Sequence, residues 1–487
     1  MEHQLQTNCS LLHVYLDDAK VSFSPDEINI NNFGLNSIYT VDIKGFKSKC
    51  SAGEMNNWHN QPAKIKVMQL DGDWSLTGDV STVEFHHLDY HDWTYHIKMH
   101  APLAKLANCC HYDVLTDQPL KTLFSSLFSR HQLFDYRFDF KDVTHPFELQ
   151  YHQSDLDLFH ALITQYGLVY YHQMIDGRIF LIISNQAPEL KNISLAESSH
   201  HGMVHNDLCA FDVMVGQYAQ PEHIRMRAEA TNHSQAQNSA SSKKQINAAM
   251  SGHDLHELYA CNTQQEVKQF TNTLQHQMDW QQQVIQFSTP LMDIMPCDQV
   301  TLTDTFDPRI EGVYQVLSVD KHCRQAQEDA HKKNINYQRI TVLPQAVRYQ
   351  PLHKINQTYP QLETLSPHYQ CAEPPLLLAK IKGEAEKPAI FQSGQYETKL
   401  SIEPTKTTLP LRLMRSFTGV AQPVDYGLNF PLYGETDVVI SMQNNCPQRL
   451  IILGALHSYE QRDICDSHNP QQHIIQTHRG LGLCLDD

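Results

Sequence analysis

The sequence predicts a mainly β chain with α/β insertions, followed by a small separate five-stranded barrel near its C-terminus. Three observations predict it. Short segments of period-two alternation, broken by Gly and Asp, recur along most of the chain. Two stretches before residue 170 switch to helical spacing. Six prolines (344, 351, 360, 367, 374 and 375) crowd one short stretch and divide the chain there.

The first hundred residues read as strands. Ile38, Thr40, Val41 and Ile43 form one such stretch and Ile65-Lys66-Val67-Met68 another. Asp71-Gly72-Asp73 is a turn, and Tyr95-His96-Ile97-Lys98-Met99 alternates. After Pro119 the period changes. Leu120, Leu123, Phe124, Leu127 and Phe128 form one stripe of a helix. A second helix has Ser154 as its cap, Leu156, Phe159 and Ile163 on its inner face, and Gly167 at its end. Asp155 and Asp157 suit the positive end of that helix. Leu168–Tyr171 and Arg178–Ile183 follow as a hairpin turned at Asp176-Gly177.

Asn232–Lys244 is polar and of low complexity, and reads as a loop. A third helix from about Thr263 places Val267, Phe270, Leu274 and Met278 on one side. Strands return at Val284–Phe287, Asp298–Leu302 and Gly312–Val319. Beyond the prolines come five strand candidates: Leu376–Ile381, Glu397–Ile402, Leu411–Arg415, Asp437–Met442 and Leu450–Leu456. Five short strands in that length fit a Greek-key barrel of the OB kind.

Composition narrows the function. The chain has 487 residues, enough for several cores, and 41% of them are hydrophobic. Lys+Arg 37 against Asp+Glu 54 leaves a net charge of −17, which disfavours nucleic acid as a partner. The longest apolar run, Leu450–Leu456, is far short of the ~20 residues that span a bilayer. Met1-Glu2-His3-Gln4 lacks the basic and apolar regions of a secretory signal, so export is expected by another route. Twelve scattered cysteines without a Cys-x-x-Cys read as buried, reduced thiols.

Chemical motifs fail one by one. His256-Glu257 opens a zinc-protease pattern, but Ala260 stands where the second histidine is needed. His86, His87, His91, His96 and His100 crowd one region. On a strand, His96 and His100 share a face with Lys98, which disfavours a shared cation. Asp71-Gly72-Asp73 lacks the later ligands of a calcium loop. Ser241-Ser242-Lys243-Lys244 contains a Ser-x-x-Lys, yet it lies in the low-complexity stretch rather than on a rigid elbow. No nucleophile elbow, phosphate loop or dinucleotide fingerprint occurs. The default is an assembly role, with no catalytic residue, metal or cofactor.

The second helix also carries a resemblance. Gln150-Tyr151-His152-Gln153-Ser154-Asp155, running on through Phe159 to Gly167 and Tyr170-Tyr171, resembles the head of the valine-glycine-repeat (VgrG) spike proteins of type VI secretion. Gln153 stands in their usual Glu position. Tyr95–Leu106 is similar to that family's strand leading into a Pro and a Leu. Downstream, Gly427, Pro431, Gly434, Glu435, Val438 and Val439 match its barrel series, followed by Arg449–Leu456 with Gly454. Its usual Gly-Asp-Pro-Asp-x-Pro turn is replaced by Gln443-Asn444-Asn445-Cys446-Pro447-Gln448.

The resemblance implies a phage-hub-like head with two β-barrels, then an OB-fold barrel. On that basis the chain divides into a first hub barrel (1–105), an α/β segment (106–200) and a second hub barrel with a helix (201–343). A Pro-rich linker (344–375), the OB barrel (376–460) and a neck (461–487) follow. Ile474–Asp487 resembles the segment joining barrel to needle, and the β-helix needle itself is expected to be absent. The implied protein is a non-enzymatic homotrimer at the tip of an injection tube. It would dock on a hexameric Hcp-like tube protein, contact baseplate components, and carry a PAAR-like tip and effectors. It would fold in the bacterial cytoplasm and leave through the apparatus. A prophage tail hub is the alternative, and a hub bearing a hydrolase domain a more distant one.

Overall fold

The computed structural model describes residues 11–16, 21–23, 25–48, 62–68, 74–87, 92–175, 178–198, 208–217, 223–229, 237–241, 252–256, 264–280, 283–324, 335–351, 376–391, 394–401, 407–421, 424–443, 449–458 and 462–486. The turns expected at Asp71–Asp73, Asp176-Gly177 and Asn444–Gln448 lie outside the described residues. Two compact units emerge. The first holds residues 1–110, 118–144 and 154–368; the second holds 111–117, 145–153 and 369–487.

In the first unit, β1 (Leu11–Leu16), β2 (Val21–Phe23), β3 (Glu27–Gly34), β4 (Thr40–Ser48), β5 (Pro62–Met68), β6 (Trp74–His87) and β7 (Asp92–His100) form an antiparallel arm in the order β3-β4-β7-β6-β5-β1-β2. Alternation sets its inner face. Ile28, Ile30, Val41, Ile43, Ile97 and Met99 are buried, and with Val14 and Ile65 they make one core. Residues from β1, β3, β4, β5, β6 and β7 all contribute to that core. Among the described residues, though, the sheet's pairing stays open and continues through β3 into the next sheet. Lys98 stands exposed on the outer face between His96 and His100.

The chain then runs through β8 (Cys110–Pro119), α1 (Leu120–Arg130), β9 (Tyr136–Asp139), β10 (Thr144–Ser154), α2 (Asp155–Gln165), β11 (Val169–Ile175) and β12 (Arg178–Ser184). All five residues of the predicted α1 stripe are buried. Pro119 supplies no side-chain cap. The first helical N–H groups donate instead to Val143 O (2.9 Å) and Asp142 Oδ1 (3.1 Å). Ser154 caps α2, accepting from Asp157 N at 3.1 Å. Gly167 follows the helix at φ 62°, a left-handed residue closing the last turn. The inner face of α2 is rotated slightly from expectation. Leu158, Phe159, Leu162 and Ile163 are buried whereas Leu156 is only half-buried, because neighbours cover two adjacent ridges of the helix.

Next come β13 (Asn192–Glu197), β14 (Cys209–Gln217), β15 (His223–Glu229), β16 (Gln237–Ser241), β17 (Gly252–His256), α3 (Gln264–Asp279), β18 (Gln283–Thr289), β19 (Gln299–Thr303), β20 (Gly312–Arg324) and β21 (Ile335–Pro344). Six of these strands close a barrel, β19-β13-β14-β18-β21-β20 and back to β19, around Leu195, Ile285, Val300, Val316 and Ile340. β20 is its spine. Residues 312–315 pair with β19, and 318–324 pair with β3. Within the stretch read as a low-complexity loop, Gln237–Ser241 is a strand paired with β15. Backbone hydrogen bonding there does not depend on apolar side chains. The prolines do not release the chain at once: Tyr349 packs into a core cluster, and Gln350 O accepts from Trp280 Nε1 at 2.8 Å.

The second unit contains β22 (Leu377–Ile381), β23 (Gln395–Leu400), β24 (Thr408–Leu413), β25 (Thr418–Ala421), β26 (Val424–Gly427), β27 (Asp437–Met442), β28 (Leu450–Ala455), β29 (Gln472–Gln476) and β30 (Gly482–Asp486). The five strands predicted for the barrel are those that close it, in the order β22-β23-β24-β28-β27. Its core takes in two residues from far upstream, Val114 of β8 and Leu149 of β10. The β8–β10 ribbon therefore belongs to this unit for most of its length. The expectation of buried cysteines needs correction. Cys209, Cys297 and Cys323 are buried, but Cys109, Cys110, Cys465 and Cys484 are free and exposed. No helix among the described residues is long and apolar enough to cross a membrane.

Candidate assembly surfaces

Strand alternation buries one set of side chains in the five-stranded barrel and turns another set outward. In β22, Leu377, Ala379 and Ile381 face in while Leu378 is 55% exposed. Outside the five barrel strands this unit exposes far more apolar surface than the strands' own outward positions do. Fifteen of the twenty-four exposed large apolar side chains among the described residues lie between Leu376 and Leu485. Contiguous exposed apolar surface marks association sites, whereas scattered residues do not.

Two hairpins concentrate it. In the β29–β30 hairpin, Ile475 faces Leu483 and His473 faces Leu485, so Ile475, Leu483 and Leu485 share one face. Leu481 precedes them at 77% exposure, and every residue of β30 is exposed. Among the described residues β30 pairs only with β29, which leaves its other edge a row of backbone donors and acceptors there. The hairpin is anchored at its turn, where His478 stacks on Tyr433 at 4.3 Å. At the β25–β26 hairpin, Phe417 packs beside Tyr426 at 5.4 Å, and both are about half-exposed, as is Leu428. The barrel strands themselves carry polar pairs. Lys382 Nζ donates to Glu397 at 2.8 Å, holding that carboxyl below its usual range, with Thr408 as a second donor.

A smaller apolar site sits at one end of the six-stranded barrel. Phe306, in the turn between β19 and β20, is 66% exposed, yet its backbone is held: its N–H donates to Glu197 at 2.7 Å. Asp307 accepts from Arg309 N, Nε and Nη2 within the same turn. Ala196 N donates to Leu208 O, which brings the exposed Leu208 to the same rim.

The motif residues read from the sequence occupy structural positions. Gln150 is fully buried, its Nε2 donating to Gln153 O at 3.0 Å, and Tyr151 packs edge-on to Tyr112. Ser154 caps α2. Asp155 is fully buried and accepts from His131 Nε2 at 2.8 Å and Arg130 at 3.2 Å. Phe159 centres an aromatic cluster with Phe124, Phe128 and Tyr170. A side chain at Gly167 would press on Gln350, and one at Gly434 would overlap the backbone of Gly383. Gly427 ends β26, exposed Pro431 precedes the turn, and Glu435 sits at φ 65° with its N–H on Ile381 O. Gly454 pairs with Val439 beside a bulge in β27–β28. These residues shape helix ends, turns and close backbone approaches.

His96 is drawn to Asp42 at 3.0 Å and Glu84 at 3.5 Å rather than to His100. Within either unit, no three His, Cys, Asp or Glu side chains among the described residues come close enough to share an ion. Sequence reasoning missed Phe306 and the ribbon residues Val114 and Leu149. The period-two run Leu481, Leu483 and Leu485 was a readable signal for the exposed hairpin.

Comparison with known proteins bears on this architecture. The family model described as the phage tail baseplate hub (GPD) matches residues 34–327. No curated protein sequence matches the chain. Among solved structures, the E. coli c3393 protein superposes with a TM-score of 0.59 at 13% identity, covering 93% of this chain and 99% of that one. That protein is described as a type VI secretion component with structural similarity to the T4 bacteriophage tail proteins gp27 and gp5. A chain of the half-lidded Francisella PdpA–VgrG complex superposes with a TM-score of 0.62 at 10% identity, covering 100% of this chain and 85% of that one. At such identities the likeness is one of fold.

Proposed function

Since this chain belongs to the phage tail baseplate hub family, we propose that it is the trimeric hub and spike base of a contractile injection machine of the type VI secretion kind. The observation that carries this reading is the apolar outer surface of the C-terminal unit, with its open β30 edge. Three copies arranged around one axis would cover that surface and satisfy the edge, which a lone chain leaves in water.

The head then faces the tube. In this reading the closed six-stranded barrel and the seven-stranded arm that continues from it are the two modules each chain offers, so three chains present six to a hexameric tube protein. A flat ring contact of this kind gains its strength from repetition rather than from any single copy. Baseplate components, a tip protein and effectors are further partners in this reading, and the Francisella neighbour, itself a complex with PdpA, supports a scaffold that carries other chains. The protein would fold in the bacterial cytoplasm, in keeping with its free cysteines, and leave through the apparatus. Its role is mechanical rather than catalytic.

Light scattering on the purified full-length protein tests the trimer. Three chains of 56.0 kDa give about 168 kDa. A stable single-chain mass at micromolar concentration would overturn the reading.

A further inference from the structure

One end of the six-stranded barrel holds an aromatic side chain in solvent on a fixed mount. Phe306 stands in the turn between β19 and β20 and is 66% exposed. The turn is tied down on every side. Phe306 N–H donates to Glu197 Oε2 at 2.7 Å, and Thr305 N–H donates to Glu311 Oε1 at 3.3 Å. Thr305 Oγ1 donates to Asp307 O at 2.8 Å, and Ile310 N–H donates to the same carbonyl at 3.0 Å. Ile310 is itself part of the barrel core, and its carbonyl accepts from the Tyr314 hydroxyl at 2.7 Å. The backbone beneath the ring is ordered before any partner arrives, so binding does not have to order it.

Exposure alone does not make a site, since Phe134 in the turn after α1 is 73% exposed. Phe306 differs in its surroundings. Leu208, 47% exposed, is brought to the same rim by the bond from Ala196 N–H to Leu208 O, next to the Glu197 that holds Phe306. The charge around them is one-sided. Residues 194–198, 208–210 and 303–312 carry four carboxylates (Glu197, Asp304, Asp307 and Glu311) against the single cation Arg309. That cation is engaged by Asp307, with Nη2 2.8 Å from Oδ2. An acidic border repels an acidic surface and attracts a basic one, which disfavours nucleic acid and anionic lipid as occupants. A rigid aromatic ringed by polar groups is the kind of residue that carries most of the binding energy at protein interfaces.

We propose that this rim is a docking surface whose anchor, Phe306, enters an apolar pocket bordered by lysine or arginine on a partner protein. On the hub reading, on which this rests, the partner is the hexameric tube protein and the contact is made three times per trimer. Each copy is small, and repetition supplies the strength.

Biolayer interferometry of the full-length protein against a hexameric tube protein of the type VI kind from the same organism tests this. Phe306→Ala should weaken binding at least about thirtyfold, the loss expected of an anchor residue. Phe306→Tyr, which keeps the ring, should stay within about threefold of the unaltered protein, and Phe134→Ala should match it. Raising NaCl from about 0.1 to 0.5 M should weaken the unaltered complex, because salt screens opposite charges. Asp304 stands at φ 50°, a conformation that asparagine also adopts, so Asp304→Asn removes one charge without backbone strain and should flatten that salt dependence. Binding by Phe306→Ala equal to that of the unaltered protein would overturn the anchor. Binding that holds or tightens in salt would overturn the basic partner, and either result leaves the hub reading intact. No binding by the unaltered protein would instead overturn the hub reading and this proposal together. Should Phe306→Ala fail to fold by circular dichroism, the salt series and Asp304→Asn still decide it.

Discussion

Changing Leu483 and Leu485 together to aspartate should dissolve the proposed trimer while leaving each chain folded. Both side chains are more than half exposed, at 57% and 56%, so the single chain loses little by the change. Fully burying a leucine is worth about 1.5–3 kcal/mol, and a little over half of that remains to be gained here, about 1–2 kcal/mol each. Six such side chains per trimer amount to about 6–12 kcal/mol, before counting the cost of placing carboxylates at the axis. Even the lower figure is about four powers of ten in the association constant. Sedimentation velocity at about 1 μM should show the unaltered protein as a trimer and the double variant as a 56.0 kDa species with an unchanged circular dichroism spectrum. A double variant that still sediments as a trimer would refute the role given to this hairpin.

Other consequences are narrower. Gly434→Ala places a Cβ 2.2 Å from Gly383 C, a backbone clash that should cost about 3 kcal/mol, read as a lowered unfolding midpoint for the C-terminal barrel. For His172, the folded pKa of about 4 lies below the unfolded value of 6.5, so its share of stability is complete above pH 6.5 and drains away as pH falls toward 4. Urea titrations at falling pH should therefore show the unaltered protein losing about 3 kcal/mol more than His172→Phe as pH nears 4, and parallel losses would contradict the assignment. Limited proteolysis should cut first within residues 352–375 and spare Gln345–Pro351, because Tyr349 and Gln350 pack into the head; mass spectrometry of the first fragments reads the site.

Local signals were legible wherever local physics decides. The α1 stripe from Leu120 to Phe128, the Ser154 cap and the Gly167 stop are one-dimensional patterns, and each stands where its spacing places it. The five barrel strands after Leu376 were equally plain, since each alternates over five or six residues between turn signals. What escaped was non-local. Nothing near Val114 or Leu149 announces that they belong to a core built more than two hundred residues later. The joining of β3 to β20 is likewise a pairing between distant segments. Gln237–Ser241 escaped for the opposite reason, having no apolar pattern although its backbone pairs. Of the assembly surface, the period-two leucines before Asp486 were visible, while the exposure of Phe306 depends on a turn held by Glu197 and Asp307. The motif residues were found but are architectural: Asp155 lies buried between Arg130 and His131, and Gly434 lets two backbones touch.

The hub reading stands or falls on the tube. The full-length chain, tagged and mixed with a hexameric tube protein of the type VI kind from the same organism, should retain that protein through size exclusion at three chains per tube hexamer. Failure to retain it, or a complex in which the residues after Leu376 alone hold the tube, would contradict the account.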